Sequence, residues 1–187
     1  MSVSQLRLDL STSALRSAIF GQVVQCIDET ERYRAAQVMR DASIPKLAHY
    51  ATVPELERAI DKTVASAAVK QHAKDVYAIL AEAEASVHGC PPEAVHFHEV
   101  GNGLTVREVL AVCTSIDTLA PHSIIATPVQ VGSGTVECEH GTLDVPAPAT
   151  KAILERYGIP IAEQRLDGEL CTPTSAALIA HYVEEFE

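Results

Sequence analysis

The chain has no tryptophan, and aromatic residues occupy only 4 % of its 187 positions, so planar side chains cannot supply most of the core. Ala, Val, Leu and Ile must build it, which a hydrophobic share of 47 % permits. Basic residues are scarce as well: 14 Lys and Arg stand against 25 Asp and Glu, a formal charge of −11. Neutralising phosphates takes a basic stripe, so a nucleic-acid partner is excluded and a cationic or metal-bearing one fits better. No run approaches the roughly 18 apolar residues of a membrane-spanning helix, and MSVSQLRLDL lacks the apolar centre of a secretion signal. The expectation is a cytoplasmic protein with no membrane partner. Five cysteines, Cys26, Cys90, Cys113, Cys138 and Cys171, form no C-x-x-C pair. Neither a zinc knuckle nor a disulfide framework is written, and most are expected to be buried small hydrophobes. The phosphate loop G-x-x-x-x-G-K-[ST], the elbow G-x-S-x-G and the zincin H-E-x-x-H are missing too.

What is present reads as helices first and mixed strands and helices after them. From Ser13 to about Met39 helix formers dominate, with Thr12 or Ser13 as cap and Leu15, Ile19, Val23 and Ile27 on one stripe. VPELERAID opens a short helix with Pro54 in its first turn. In HAKDVYAILAEAEASVHG, the residues Ala73, Val76, Tyr77, Leu80, Ala83 and Val87 trace a helical stripe that Gly89 stops. Thr105 to Leu119 repeats the pattern, and Pro121 ends it. SIIATPVQVGSGTVECEHGTLDVP is β-branched and punctuated by glycine, as strands joined by turns are, with Gly132 and Gly134 marking a bulge or a close backbone approach. A helix in ATKAILERYG, a short strand at Ile159 to Ala162 and a last helix from Thr174 to about Phe186 complete the reading. The fold class is α+β (or α/β), divided into a helical segment 1–65 and an α/β domain 66–187 whose mixed sheet carries packed helices.

HFHEVG, from His96 to Gly101, is the densest chemistry in the chain. In an extended segment His96 and His98 share one face and Phe97 anchors the other. Two imidazoles on one face can hold a first-row metal, and the distant His140, or Glu99 if the strand ends or turns near Gly101, would complete an open three-ligand site. Half-buried histidines bonded to backbone would leave the same pattern. In CTPTSAAL, Thr172 can cap a helix whose first residue is Pro173, leaving amide N–H groups and the Thr174 and Ser175 hydroxyls for an anion, or serving as an ordinary cap. Glu108, Glu169 and Asp167 are carboxylates that could act as bases or join a metal, with solvated surface charge the reading preferred for Asp167. His49, His72, His122 and His181 have no partner spacing and read as surface or structural. His88, just before the helix stop, reads as a partner of terminal carbonyls.

AEAEASVHG, VHFHEVG, VGSGTVECEHGTLDVPAPAT and GELCTPTSAAL follow one another in an order that closely resembles the LarC family, the nickel insertion proteins for the pyridinium-type pincer cofactor of lactate racemase. The similarity runs from about Ala73 to Phe186. It implies handling of nickel, or another divalent metal, and of a sulfur-bearing pyridinium mononucleotide, with CTP consumed by complete family members. Carried over by motif, it implies metal ligands at His96, His98 and His140, catalytic carboxylates at Glu99 and Glu108, and cofactor contacts at Glu169, Thr172 and Thr174.

The sequence also departs from that family. Leu104 and Glu108 stand where the family has two aspartates, Ser175 replaces a glycine after TPT, and the glycine- and aspartate-rich N-terminal block and the C-terminal domain find no counterpart. A partial member is implied, from which a complete CTP-dependent cycle is not expected. Two other readings stay open: a degenerate scaffold or oligomerisation partner, and a metal-dependent hydrolase of a small phosphorylated compound. A homodimer is the assembly expected from general frequency.

Overall fold

The fold was described from a computed structural model, over residues 4–33, 36, 51–97, 101, 103–139 and 141–187. The alternation of QLRLDL, which the helical reading of segment 1–65 passes over, forms strand β1 (Gln5–Leu8), with Leu6, Leu8 and Leu10 buried. It pairs in parallel with β4 (Ser123–Ala126), and β4 pairs in parallel with β9 (Glu185–Phe186), giving a three-stranded sheet with β4 in the middle. The residues before 65 thus contribute to the same hydrophobic core as those after it.

Helix α1 (Arg16–Gln25) buries Ile19 and Val23 of the expected stripe, and Ile27 follows just beyond its end. Neither Thr12 nor Ser13 caps it; Leu15 holds that position without a side-chain bond. The part of the expected helix that falls on residues 34, 35 and 37–39, and His49, lie outside the described residues. The two-residue strand β2 (Ala51–Thr52) leads into α2 (Val53–Asp61) through a capping box. There Glu55 Oε2 accepts from the Thr52 amide at 2.9 Å, and these bonds hold the Glu55 carboxyl below its usual range.

Helix α3 (Ala67–His88) is the hub: it packs against α2, α4 (Gly103–Leu119), α5 (Pro148–Arg156) and α6 (Pro173–Tyr182). Its stripe is buried from Ala73 to Ala83, while Val87 is 42 % exposed because the last turn runs past the core. Gly89 closes it in the left-handed conformation. Strand β3 (His96–Phe97) pairs antiparallel with β2 and shows the expected alternation, His96 outward and Phe97 buried.

Two small antiparallel ladders complete the chain, β6 (Thr135–Cys138) with β7 (Gly141–Asp144) and β5 (Gly132–Ser133) with β8 (Gly168–Glu169). The expected strand at Ile159 to Ala162 is reduced to one bridge between Val129 and Ile161. The last helix ends at Tyr182 rather than Phe186, because the Glu184 and Glu187 amides donate to Ile124 and Ala126 of β4 at 2.9 Å each. Of the cysteines only Cys113 and Cys171 are buried; Cys26 is exposed and Cys90 and Cys138 lie between. The expectation for them fails where a cysteine falls off the core face. No helix among the described residues is long and apolar enough to cross a membrane.

Candidate functional site

A cavity of about 400 Å³ opens where α4, α5 and α6 begin. Leu104 and Thr105 come from the first turn of α4, Ala147, Pro148 and Ala149 from the start of α5, and Thr172, Pro173 and Thr174 from the start of α6. Residues from three helix N-termini therefore line one space, and the positive ends of the helix dipoles favour an anion there. Two of the three starts owe their shape to proline: Pro148 and Pro173 occupy first-turn positions that need no N–H.

The start of α6 is built in detail. Thr172 caps it, its Oγ1 accepting from the Ser175 amide at 3.3 Å and lying 3.0 Å from the Ser175 hydroxyl. Arg16, from α1, donates Nη1 to the same Thr172 oxygen at 3.1 Å. Its other nitrogens hold Glu108 Oε2, Nε at 2.8 Å and Nη2 at 2.7 Å. A half-buried guanidinium is thereby fixed on the cavity wall by two partners from different helices. Thr174 is fully buried, yet its hydroxyl lacks a hydrogen-bond partner among the described residues. A buried polar oxygen of this kind costs stability unless something meets it.

Of the residues expected from sequence, His96, Glu169, Thr172 and Thr174 line this cavity together. Glu169 arrives on β8, where it pairs with Gly132, and His96 arrives on β3. Glu108 reaches the cavity through Arg16. His98, Glu99 and His140 lie outside the described residues. Asp167 is exposed and approaches the Ser133 hydroxyl at 3.5 Å. Three further residues join the cavity without a role expected for them there. Arg16 lies in a helix far from every motif; Cys138 lies within a motif block but reads as a small hydrophobe; and His88, also within a block and expected on terminal carbonyls, stands 3.5 Å from Glu84 Oε2, both at the cavity.

A second cluster lies elsewhere. His72 and His181 put Nδ1 and Nε2 2.9 Å apart, and Asp75 joins them, the ligating atoms of the three lying within 4.8 Å of one another. All three are half-buried. Burial, with the neighbouring His72, holds the His181 imidazole below its ordinary pKa. Helical reading of α3 alone could pair His72 with Asp75, but His181 is 109 residues away.

The thiols sort by surroundings. Burial pushes Cys113 and Cys171 up to about 12, so neither is a thiolate at neutral pH. Treated with iodoacetamide at pH 7.5, Cys26 should alkylate readily and Cys113 and Cys171 only after unfolding, as peptide mass mapping would check. Modification of Cys171 in the native chain at the rate of Cys26 would contradict the burial.

Compared with known proteins, the chain matches the family described as nickel insertion protein over residues 4–187. The chain belongs to the nickel insertion protein family. A Methanosarcina mazei relative is 41 % identical over 143 residues, 76 % of this chain and 36 % of its own. Two other members of the family bear the name pyridinium-3,5-bisthiocarboxylic acid mononucleotide nickel insertion protein. The Clostridium kluyveri protein is 44 % identical over 132 residues, 71 % of this chain and 33 % of its own, and that of Geobacillus kaustophilus 37 % over 138 residues, 74 % and 32 %. The chain thus spans about a third of the length of these nickel insertion proteins. No solved structure matches it. The family match takes in β1 and α1, so Arg16 belongs to the matched region although the motif resemblance begins only near Ala73.

Proposed function

We propose that the cavity binds the phosphorylated pyridinium mononucleotide into which nickel is inserted, with the phosphate at the start of α6 and nickel, as substrate, met by His96. The observation that carries this reading is the buried Thr174 hydroxyl, without a partner among the described residues, beside the Arg16-bound cap, in a space where three helices begin. A phosphate oxygen would satisfy that hydroxyl, and the α6 amides and the Arg16 guanidinium would share its charge. The names of the Clostridium kluyveri and Geobacillus kaustophilus relatives supply the mononucleotide as the ligand to test. Imidazole suits nickel, and a thiol such as that of Cys138 on the same wall is a softer ligand than oxygen. Glu108 positions Arg16 in this reading rather than reacting itself. His98, Glu99 and His140, implied by motif, remain proposed members of the site.

The experiment is calorimetric titration of the chain with nicotinic acid mononucleotide, a stable pyridinium carboxylate carrying the same phosphate. One charged hydrogen bond is worth roughly 1.5–3 kcal/mol, so Arg16→Ala should weaken binding about 10- to 100-fold. Thr174→Val, which keeps the shape, should weaken it several-fold. No binding by the wild-type chain, or equal affinity in all three, would sink the assignment. Leu104, 68 % exposed where a family carboxylate is expected, favours the scaffold reading, and that outcome would select it.

A further inference from the structure

We infer that His72, Asp75 and His181 form a second binding site, for a divalent first-row transition ion, remote from the cavity. The placement follows from two helices. His72 and Asp75 lie three apart on α3 and so project from one face of it, and His181 comes from the last turn of α6. The cavity takes the opposite ends of the same helices: Glu84, Val87 and His88 of α3 and Thr172, Pro173 and Thr174 of α6. From Thr174 to His181 an α-helix rising about 1.5 Å per residue puts about 10 Å between the two sites along the α6 axis.

The donor set is chemically coherent. Two imidazole nitrogens and one carboxylate oxygen are the ligands of open three-residue sites for zinc, nickel or cobalt, with a remaining position for water or an incoming ligand. Around an ion with bonds of about 2.0–2.1 Å, tetrahedral neighbours lie roughly 3.3–3.4 Å apart. The two ring nitrogens, at 2.9 Å, need to part by only a few tenths of an ångström. In the hydrogen-bonded pair one ring donates to the other; to bind an ion, the donor shifts its hydrogen to its other nitrogen, and both lone pairs turn inward without change of charge.

The surroundings hold these groups in place. Gln71 Nε2 donates to Asp75 Oδ1 at 2.8 Å, fixing the carboxylate while its second oxygen stays available. The Tyr182 ring packs edge-on against His181, with centroids 4.6 Å apart, and lies tilted against His72 at 5.4 Å. Partial exposure of all three ligands leaves an entry path, and the net charge of −11 favours a cation. A structural histidine pair would account for the 2.9 Å contact alone; the metal site adds the third donor, whose ligating atom lies within 4.8 Å of both ring nitrogens.

The test is titration of the metal-stripped full chain with Ni²⁺ and, separately, Zn²⁺, with Co²⁺ absorption as a report on the donor set. Removing both imidazoles in His72→Ala/His181→Ala should weaken one equivalent by at least about 100-fold, the top of the range found even for groups that only support a ligand. His96→Ala should keep that equivalent, which separates this site from the cavity's. Should the double variant not fold, judged by circular dichroism, Asp75→Asn supplies the test, since it keeps size and must still lower the affinity and alter the Co²⁺ spectrum. Unchanged stoichiometry and affinity in the folded variants, or no binding by the wild-type chain, would overturn the site. Because mononucleotide titration reads only the cavity, either site can fail without the other.

Discussion

Gly132→Ala should destabilise the chain by roughly 3–5 kcal/mol, the combined cost of a left-handed backbone for a residue with Cβ and of overpacking against a fixed neighbour. Gly132 has φ of +87°, and a Cβ there would stand 1.8 Å from the Gly168 carbonyl oxygen and 3.1 Å from the Leu170 amide. Both neighbours are backbone, so neither can swing aside as a side chain could. The ladder of β5 with β8 is also tied from behind. Buried Gln130 accepts from the Gly132 amide at 3.0 Å and donates to the Gln164 carbonyl at 2.7 Å. Leu170 in turn donates to Val131 at 3.1 Å and accepts from Ala14 at 2.9 Å. Moving β8 away from the new methyl would drag Glu169 and the Thr172 cap with it, so mononucleotide binding should fall alongside stability. Urea denaturation measures the first effect, and a midpoint shift worth less than about 1 kcal/mol would mean that the clasp yields cheaply.

That clasp was half visible in the sequence. The glycines of VGSGT announce a close approach, but what approaches is Gly168, and no local pattern names a partner so distant. The same division runs through the molecule. The Pro54 start of α2, the stripe of α3 as far as Ala83 and the Thr172-Pro173 start of α6 are local events written in a few adjacent residues, and each lies where the pattern puts it. Strands β1 and β9 went unread because short parallel strands owe their existence to a neighbour: β1 meets β4 across 118 residues, from Gln5 to Ser123. AHYVEEFE carries neither Gly nor Pro to stop a helix, and the stop at Tyr182 comes from β4.

For the candidate site, motif spacing found the residues that sit at element starts, His96 and Thr172 among them, and missed Arg16, which reaches Thr172 from 156 positions away. His72 and His181 have no partner spacing in the sequence, yet their ring nitrogens meet at 2.9 Å. Side chains that meet only through packed helices leave no trace in a linear pattern, and these two helices meet because their buried faces are apolar.

Phe97→Ala tests how far the cavity depends on that packing. Phe97 is 1 % exposed and meets Tyr77 edge to face, with centroids 5.8 Å apart. Gly101 closes on it from the other side, so tightly that a Cβ there would lie 2.7 Å from the Phe97 Cβ. Truncation should cost about 3–5 kcal/mol in lost burial and residual cavity, the aromatic pair included. The functional effect should exceed what that loss alone suggests. Strand β3 is only two residues long and pairs with an equally short β2, so its ladder is too small to hold His96 once the adjacent anchor is gone. Nickel binding that depends on His96 should weaken in Phe97→Ala even at temperatures where the chain stays folded, while Phe97→Leu, which keeps most of the apolar volume, should retain it. Hydrogen exchange at the Phe97 amide supplies the structural readout. Equal exchange and equal His96-dependent nickel affinity in wild type and Phe97→Ala would show that the imidazole is held by something other than its neighbour in HFHEVG.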